Sequence, residues 1–440
     1  MPTKVGMVSL GCAKNMVNSE QMLQKLKDAG YDITGPLDKI DAIVINTCGF
    51  IESAKAEAID NILEFAELKK EGRLRKIIVA GCLSERYKDE IMRELPEVDG
   101  LVGCGSFDEI AEVVSGVMEG DKVCRFGDID APISETGRVV TSGPGWAYLR
   151  IAEGCDNCCA YCVIPSLRGK YRSRPMENIL GEARMLAEMG VKELIVIAQD
   201  TSRYGTDLYG ERKLSELVRR LCDISGIEWI RLHYLYPDEI DDELIDTVAR
   251  EEKVVKYLDI PIQHINNGIL KRMNRRGTGT EIRELFKKLR ERIPGLVLRT
   301  SIIAGLPGEG EAEFEELASF LRETKIERGG VFVYSPEEGT EAAGMPDIPD
   351  RETAEHRCAL LADIQSRIID EFNESMLGKV LTVLVEGVDN ATGYLYGRSF
   401  ADSPDVDGRV LFDAQAGLGD FVKVRITDII DGELAGEVEE

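Results

Sequence analysis

The sequence predicts an α/β protein in three parts. These are an amino-terminal open parallel α/β sheet domain, a central partial (β/α)6 barrel and a small antiparallel carboxyl-terminal β-barrel. Three observations predict it. Short apolar runs alternate with amphipathic helical patterns over residues 4–118, and the same rhythm resumes from 146 to about 370. Between them, residues 119–145 turn polar and rich in Gly, Asp, Ser and Pro, as in Ser142-Gly143-Pro144-Gly145, which reads as a linker with room for a short strand pair. After Gly378 five short alternating runs are separated by Gly- and Asp-rich turns.

A chain of 440 residues exceeds one ordinary core, so about three domains are expected. The expected boundaries are 1–120, a linker 121–145, a barrel with its connecting helix over 146–376, and a tail module over 377–440. The balance of 80 acidic against 54 basic residues, a net charge of -26, argues against general nucleic-acid affinity, which comes from neutralising phosphates with Lys and Arg. A basic partner is favoured. Eleven cysteines behind a start, Met1-Pro2-Thr3-Lys4, with no apolar leader point to a reducing compartment in which thiols serve metals or redox chemistry. With no apolar run of about eighteen residues, no membrane partner is expected. The expectation is a soluble, cytoplasmic protein.

In the amino-terminal part, Val5–Leu10, Ala42–Asn46 and Lys76–Ala80 read as strands, and Ser19–Asp28, Ala54–Leu68 and Ser84–Leu95 as helices. A cysteine follows each strand: Cys12 in Gly11-Cys12, Cys48 in Cys48-Gly49, and Cys82 in Gly81-Cys82. Separations of 36 and 34 residues approximate one βα unit, so all three are expected at the carboxyl edge of neighbouring strands, where open α/β sheets bind ligands. Three remote thiols thereby become one site with an open coordination position, as an iron-sulfur cluster requires. Three independent buried cysteines are the plainer alternative.

The central strands are expected near Ala147–Ala152, Glu193–Ala198, Trp229–Leu232, Lys256–Ile260, Val297–Ile303 and Gly330–Tyr334. Barrel enzymes gather functional residues at the carboxyl ends of such strands. After the first of them comes Cys155-Asp156-Asn157-Cys158-Cys159-Ala160-Tyr161-Cys162. Read as Cys155-x3-Cys159-x2-Cys162, it offers three thiolates within eight residues. Zinc is disfavoured because its sites bring separated pairs or a Cys/His set, and no histidine is near; a disulfide knot is disfavoured by compartment. An iron-sulfur cluster with one open iron is expected. Cys158 leaves open a shifted set of Cys155, Cys158 and Cys162. Cys104, Cys124, Cys222 and Cys358 fit neither triad and are read as structural.

Gln199 and Asp200 end the second barrel strand, His233 the third, His264 closes the fourth, and Gly305 and Gly308 follow the fifth. Each is a weak signal: glycines also make turns, and histidines are often satisfied core groups. The basic run Arg168–Pro175 is either a holder of an acidic group or a solvated surface. A long polar-faced helix is expected over residues 351–376. The tail strands are expected at Val380–Glu386, Thr392–Ser399, Gly408–Phe412, Phe421–Asp428 and Glu433–Val438. From Lys379 to Glu440 there are 13 acidic against 5 basic residues, a surface that attracts cations and repels phosphate.

The cysteine motif resembles that of radical S-adenosylmethionine enzymes. Together with Cys12, Cys48, Cys82 and the order of parts, nearly the whole chain resembles the methylthiotransferase family, whose third part is a TRAM module. Gly11-Cys12-Ala13-Lys14-Asn15, Gln199-Asp200-Thr201, the run Tyr334–Thr340 and the run Gly397–Gly408 look like the RimO-type branch, which modifies an aspartate of a small-subunit ribosomal protein. The sister branch modifies adenosine in transfer RNA.

The resemblance implies two 4Fe-4S clusters, one on Cys155, Cys159 and Cys162 and one on Cys12, Cys48 and Cys82. It also implies S-adenosylmethionine as radical source and methyl donor, inorganic sulfide or persulfide as sulfur source, and an external electron-donor protein. Tyr161 stands where the family puts an aromatic beside adenine, and Gln199, Asp200 and Gly305 are carried as further cofactor contacts. The implied reaction takes a hydrogen from the aspartate β-carbon and adds a methylthio unit, with a basic small-subunit ribosomal protein or the ribosome as partner and nucleic acid not the direct target. An iron-sulfur electron carrier is the alternative from another class.

Overall fold

The computed structural model describes residues 2–35 and 40–439. The chain condenses into two compact units, Met1–Thr141 with Ala152–Arg174 and Ser335–Ala343, and Ser142–Ile151 with Pro175–Tyr334 and Gly344–Glu440.

In the first unit, strands β1 (Lys4–Ser9), β2 (Asp32–Ile33), β3 (Ala42–Thr47), β4 (Lys76–Gly81), β5 (Gly100–Val102) and β6 (Val123–Arg125) form one parallel sheet in the order β2-β1-β3-β4-β5-β6. Helices α1 (Ala13–Asp28), α2 (Glu52–Lys70), α3 (Cys82–Glu94) and α4 (Ile110–Glu119) cover it. Successive β3 and β4 side chains go to opposite faces. Ile43, Ile45, Ile77 and Val79 pack on Ala58, Ile62 and Phe65 of α2, whereas Val44 and Ile78 pack on Met22 and Leu26 of α1 and Val113 and Val117 of α4. Both faces are therefore apolar, which is why these strands read as continuous hydrophobic runs. Each such aliphatic side chain stabilises the sheet by about 1.5–3 kcal/mol on burial.

Two features depart from expectation. The short strands β2 and β5 were not anticipated, and the linker stretch, where a short strand pair was allowed for, supplies the single strand β6, which pairs in parallel with β5. Later residues of that stretch also belong to this unit: Arg138 is 3.2 Å from Glu20, and the Thr141 hydroxyl donates to the same carboxylate at 3.1 Å.

In the second unit, β7 (Trp146–Arg150), β8 (Glu193–Ile197), β9 (Trp229–Leu232), β10 (Val254–Asp259), β11 (Val297–Ala304) and β12 (Arg328–Val333) lie side by side in chain order, all parallel, as an open six-stranded sheet. The long helix Arg351–Glu374 then leads to a closed barrel of β13 (Val380–Val388), β14 (Leu395–Arg398), β15 (Val410–Asp413), β16 (Phe421–Ile430) and β17 (Glu433–Val438), in the order β13-β14-β15-β17-β16. An entirely antiparallel tail barrel was expected. The β15–β17 pair is parallel, because a ring with an odd number of strands cannot alternate direction throughout.

The run Gly397–Gly408 is an interlock between the small barrel and the large sheet. Glu193 of β8, without solvent exposure, accepts Nε of Arg231 at 2.8 Å and Nη2 of Arg398 at 2.6 Å. Arg231 also donates to the Phe400 carbonyl at 2.7 Å, Arg328 pairs with Asp402 at 2.7 Å, and the Tyr257 hydroxyl donates to Asp407 at 2.7 Å. His233 lies 3.0 Å from the Ser403 hydroxyl, so this histidine is occupied structurally. Burying this much charge is tolerable only because nearly every group has a partner.

Candidate metal centres

The parallel register of β1, β3 and β4, with Ser9 opposite Asn46 and Thr47 opposite Gly81, carries the chain to one sheet edge three times. Cys12 caps α1, Cys48 follows β3, and Cys82 opens α3. The neighbouring glycines let these loops touch. A Cβ on Gly11, where φ is +88°, would stand 2.7 Å from Cys48 Cβ, and one on Gly49 would stand 2.9 Å from the Cys82 carbonyl carbon. The glycine beside each cysteine thus allows loop to pack on loop.

Buried Asn15 stitches the edge together. Its Nδ2 donates to the carbonyls of Leu10 at 3.1 Å and Thr47 at 2.9 Å, the backbone just before Cys12 and Cys48. Arg86 donates to the Gly49 carbonyl at 2.9 Å and to Glu337 at 2.7 Å, while Lys55 reaches the same carboxylate at 3.0 Å. Ser335 donates to the other oxygen of Glu337 at 2.6 Å. The run Ser335–Thr340 thereby braces the Cys48 loop. Burial alone would raise the Glu337 carboxyl, but the Ser335, Arg86 and Lys55 donors outweigh it and hold it below the usual range.

The thiols feel one another. Burial, then the charges of Cys82 and Cys12, push Cys48 up to about 12. Cys82 goes the other way. Cys104, read from sequence as structural, sits with its sulfur 4.0 Å from Cys82 and donates to it, and Arg168 Nη2 donates from 3.4 Å; together they outweigh burial and favour the Cys82 thiolate. Cys104 correspondingly keeps its proton.

The second motif lies in the same unit. Ala152–Glu153 pairs antiparallel with Arg172–Ser173, closing the neck of the loop that carries Cys155 to Cys162. At the neck, Gly154 has φ of +77° and a Cβ there would stand 2.0 Å from the Lys170 carbonyl, so only glycine fits. Within the loop the Cys155 N–H donates to Gly169 at 3.1 Å, the Cys162 N–H to Cys159 at 2.9 Å, and the Ile164 N–H to Cys162 Sγ at 3.4 Å. Cys155, Cys159 and Cys162 are half-buried, whereas Cys158 is exposed at φ of +51°. Helix α5 (Ile164–Arg168) follows, and its Leu167 packs with Val163 against Cys82, Phe50 and Cys104. Tyr161 is half-buried beside Ala160, whose carbonyl accepts the Ala342 N–H at 2.9 Å.

Three arginines of the basic run are engaged within the unit, while Lys170 is exposed. Arg168 points inward, Arg172 donates to the Lys170 carbonyl at 2.6 Å, and Arg174 pairs with Glu135. Gln199, Asp200 and Gly305 belong to the second unit. Asp200 accepts the Ser202 hydroxyl at 2.6 Å, fixing the turn after β8. Gly305 donates its N–H to Glu309 at 3.0 Å, and a Cβ on it would stand 2.4 Å from Ala354 Cβ, so close helix packing demands this glycine. Buried His264 lies 3.4 Å from Glu309, which also pairs with Arg357. Asn15, Cys104 and Arg168 are the residues to which sequence reasoning gave no role at a cluster. Asn15 and Arg168 stood only as members of the Gly11–Asn15 and Arg168–Pro175 runs, and Cys104 was read as structural.

The donor set fits iron-sulfur clusters. Each triad is all-thiol, with N–H or guanidinium donors aimed at sulfur, the surroundings such clusters use. Among the described residues no three His, Cys, Asp or Glu side chains converge tightly enough to chelate a single ion. A cube spreads its thiolates over three corners and does not ask for that convergence. The repulsion from Cys82 and Cys12 that adds to burial in raising Cys48 is what ferric and ferrous charge would relieve.

Three family models match the chain: the radical SAM superfamily over residues 149–321, the uncharacterized protein family UPF0004 over 4–103, and the TRAM domain over 377–438. Among curated proteins, one from Lachnoclostridium phytofermentans is 49% identical over 440 residues, covering 99% of this chain and 100% of the relative. One from Acetivibrio thermocellus is 49% identical, covering 100% and 99%, and one from Geobacter sulfurreducens is 49% identical, covering 99% and 98%. All three are named ribosomal protein uS12 methylthiotransferase RimO. Among solved structures, the radical S-adenosylmethionine methyltransferase TsrM from Kitasatospora setae superposes with a TM-score of 0.56 at 14% identity, covering 78% of this chain and 77% of that one. At that identity it speaks for the fold alone.

Proposed function

This chain belongs to the RimO family of radical S-adenosylmethionine methylthiotransferases, and from that premise we propose that it adds a methylthio group to the β-carbon of an aspartate in ribosomal protein uS12. The observation that carries this reading is the presence, in one compact unit, of six free cysteines in the two sets read as cluster ligands, in a chain 49% identical over its length to proteins of that name.

Cys155, Cys159 and Cys162 would hold the cluster that engages S-adenosylmethionine, and Cys12, Cys48 and Cys82 the cluster that bears sulfur. Exposed Cys158 stands outside the ligand set. When bound, these groups supply hydrogen abstraction from an unactivated methylene, sulfur insertion and methyl transfer, chemistry that no side chain can perform. Protein groups do the remaining work. Ile164 N–H and Arg168 direct positive charge at ligand sulfurs, Val163 and Leu167 exclude water beside Cys82, and Asn15 fixes the spacing of the three loops. No amino-acid general base is assigned, since a methylene hydrogen beside a carboxylate is too weakly acidic for one. Replacement sulfide or persulfide and an electron-donor protein come from outside the chain.

The acidic surface supports a basic ribosomal protein over nucleic acid. A net charge of -26 steers a cationic partner inward and repels phosphate. A ribosomal substrate also accords with a cytoplasmic site of action, and among the described residues no helix is long and apolar enough to cross a membrane.

The test is anaerobic reconstitution with iron and sulfide, then incubation with S-adenosylmethionine, reductant and either ribosomes or transfer RNA. Mass spectrometry should find an increment of about 46 Da, hydrogen replaced by SCH3, on uS12. Cys48→Ala should abolish the increment while S-adenosylmethionine cleavage persists. An increment on transfer RNA alone would overturn the substrate but not the chemistry.

A further inference from the structure

We infer that Arg168 is a positioning residue for methylthio transfer, neutralising the Cys82 corner of the second cluster and tying the first cluster's loop to it. The inference rests on the cluster assignments proposed above.

Arg168 is 3% exposed, six residues beyond Cys162 at the end of α5. A guanidinium carries five N–H donors in a rigid fork, and here Nη1 and Nη2 are shared between both cluster regions. One Nη2 donates to Cys82 Sγ at 3.4 Å and to Asn15 Oδ1; Nη1 donates to Asn18 Oδ1 at 2.7 Å and lies 3.5 Å from Glu153. The plane sits over Phe107, with its centre 5.7 Å from the ring centroid. Glu153 precedes Cys155 by two residues, so Arg168 and Glu153 bracket the first motif. Asn15 follows Cys12 by three residues and holds the backbone before Cys12 and Cys48. A single buried fork therefore connects both ends of one cluster loop to all three loops of the other.

An ordinary buried ion pair does not account for this arrangement. The carboxylate is the most distant of the oxygen partners, while a ligand sulfur takes a hydrogen bond that a merely structural arginine has no reason to make. Positive charge and N–H donors at a ligand sulfur favour the more negative, reduced state of a cluster and so raise its potential. Fixing one loop against the other also holds the radical source and the sulfur source at constant separation, on which effective transfer depends.

The test uses full-length protein. A parent carrying Cys155→Ala, Cys159→Ala and Cys162→Ala leaves the second triad alone to bind a cluster, whose midpoint potential is read by titration followed by electron paramagnetic resonance. Adding Arg168→Gln should move the potential to more negative values, and Arg168→Lys, which keeps charge but loses the fork, should move it less. The pair Arg168→Gln with Glu153→Gln removes the Glu153 carboxylate as well and should still show the downward shift. Loss of cluster iron in Arg168→Gln with retention in Arg168→Lys would also support the inference, since charge is what differs. An unchanged potential in all three variants overturns the neutralising role. Failure of a folded parent to bind iron would sink the cluster assignment instead. With both triads intact, Arg168→Gln should raise S-adenosylmethionine cleavage per methylthio group transferred several-fold, with Arg168→Lys nearer the parent; an unchanged ratio overturns the tying role.

Discussion

Replacing Glu193 by Gln isolates the contact that joins the tail barrel to the large sheet. The substitution keeps volume and removes one charge from a site without solvent, where Glu193 accepts Arg231 at 2.8 Å and Arg398 at 2.6 Å. Breaking a buried pair by deleting one partner costs about 3–5 kcal/mol, because the other charge is left uncompensated. Both arginines keep secondary partners: Arg231 the carbonyls of Phe400 at 2.7 Å and Ser399 at 3.3 Å, Arg398 the carboxylate of Glu386 at 2.7 Å and the carbonyl of Asp402 at 3.1 Å. The lower bound applies, about 3 kcal/mol, which is roughly a hundredfold in an opening equilibrium. Hydrogen exchange followed by mass spectrometry reads this directly. Peptides over Gly397–Gly408 should lose about two decades of protection, while peptides over β3 in the other unit should not change. Protection within threefold of the parent over Gly397–Gly408 would refute the interlock.

Further outcomes follow from the same geometry. Cys158→Ser should leave the first cluster's iron content and S-adenosylmethionine cleavage near the parent, whereas Cys159→Ser should lose both; the opposite pattern would establish the shifted ligand set. Glu337→Gln should destabilise the first unit by about 1–3 kcal/mol at neutral pH, the cost of removing a buried acceptor from charged donors. Because the folded carboxyl is held below its unfolded value, this stabilisation is complete above about pH 4.3 and is lost as pH falls through the folded value, so thermal melts of parent and variant should converge in acid. A variant with Asp413→Asn, Asp428→Asn and Glu437→Gln, all exposed on the tail barrel, should raise KM for uS12 with little change in kcat. The difference should shrink at high salt as screening removes the parent's advantage.

The residues legible in the sequence are those whose chemistry is local. A cysteine after each apolar run, with glycine beside it, already specifies a strand end and a crowded loop, and β1, β3 and β4 follow with the thiols at one edge. Cys155 to Cys162 needs no tertiary information, because the loop holds its own donors. What escaped is what the chain assembles across distance. Asn15 and Arg168 are 153 residues apart, and neither residue type announces a partner. Cys104 looked incidental because its closeness to Cys82 depends on the β5 turn, and β5 has only three residues. The run Gly397–Gly408 stood out only by its resemblance to the RimO-type branch, and its role as an interlock depends on Arg231, Tyr257 and Arg328 from three different strands. The parallel β15–β17 pair needed only strand counting, since five strands in a ring exclude full alternation.

The charge pattern works on two length scales. A cluster held by three thiolates is anionic, and a chain of net charge -26 is a poor host for it on that number alone. Surface charges, however, are screened over about 10 Å in dilute salt, so the acidic exterior acts on arriving partners more than on the buried edge. At that edge the field is set by contact: Arg168 at 3.4 Å from Cys82, Cys104 donating to the same sulfur, and Ile164 N–H on Cys162. One buried cation in low dielectric outweighs many remote screened anions. The same chain can therefore be acidic enough outside to draw in a basic ribosomal protein and locally positive enough inside to hold reduced iron and sulfur. If this separation is right, neutralising tail carboxylates changes substrate affinity without moving the second cluster's potential, and changing Arg168 does the reverse.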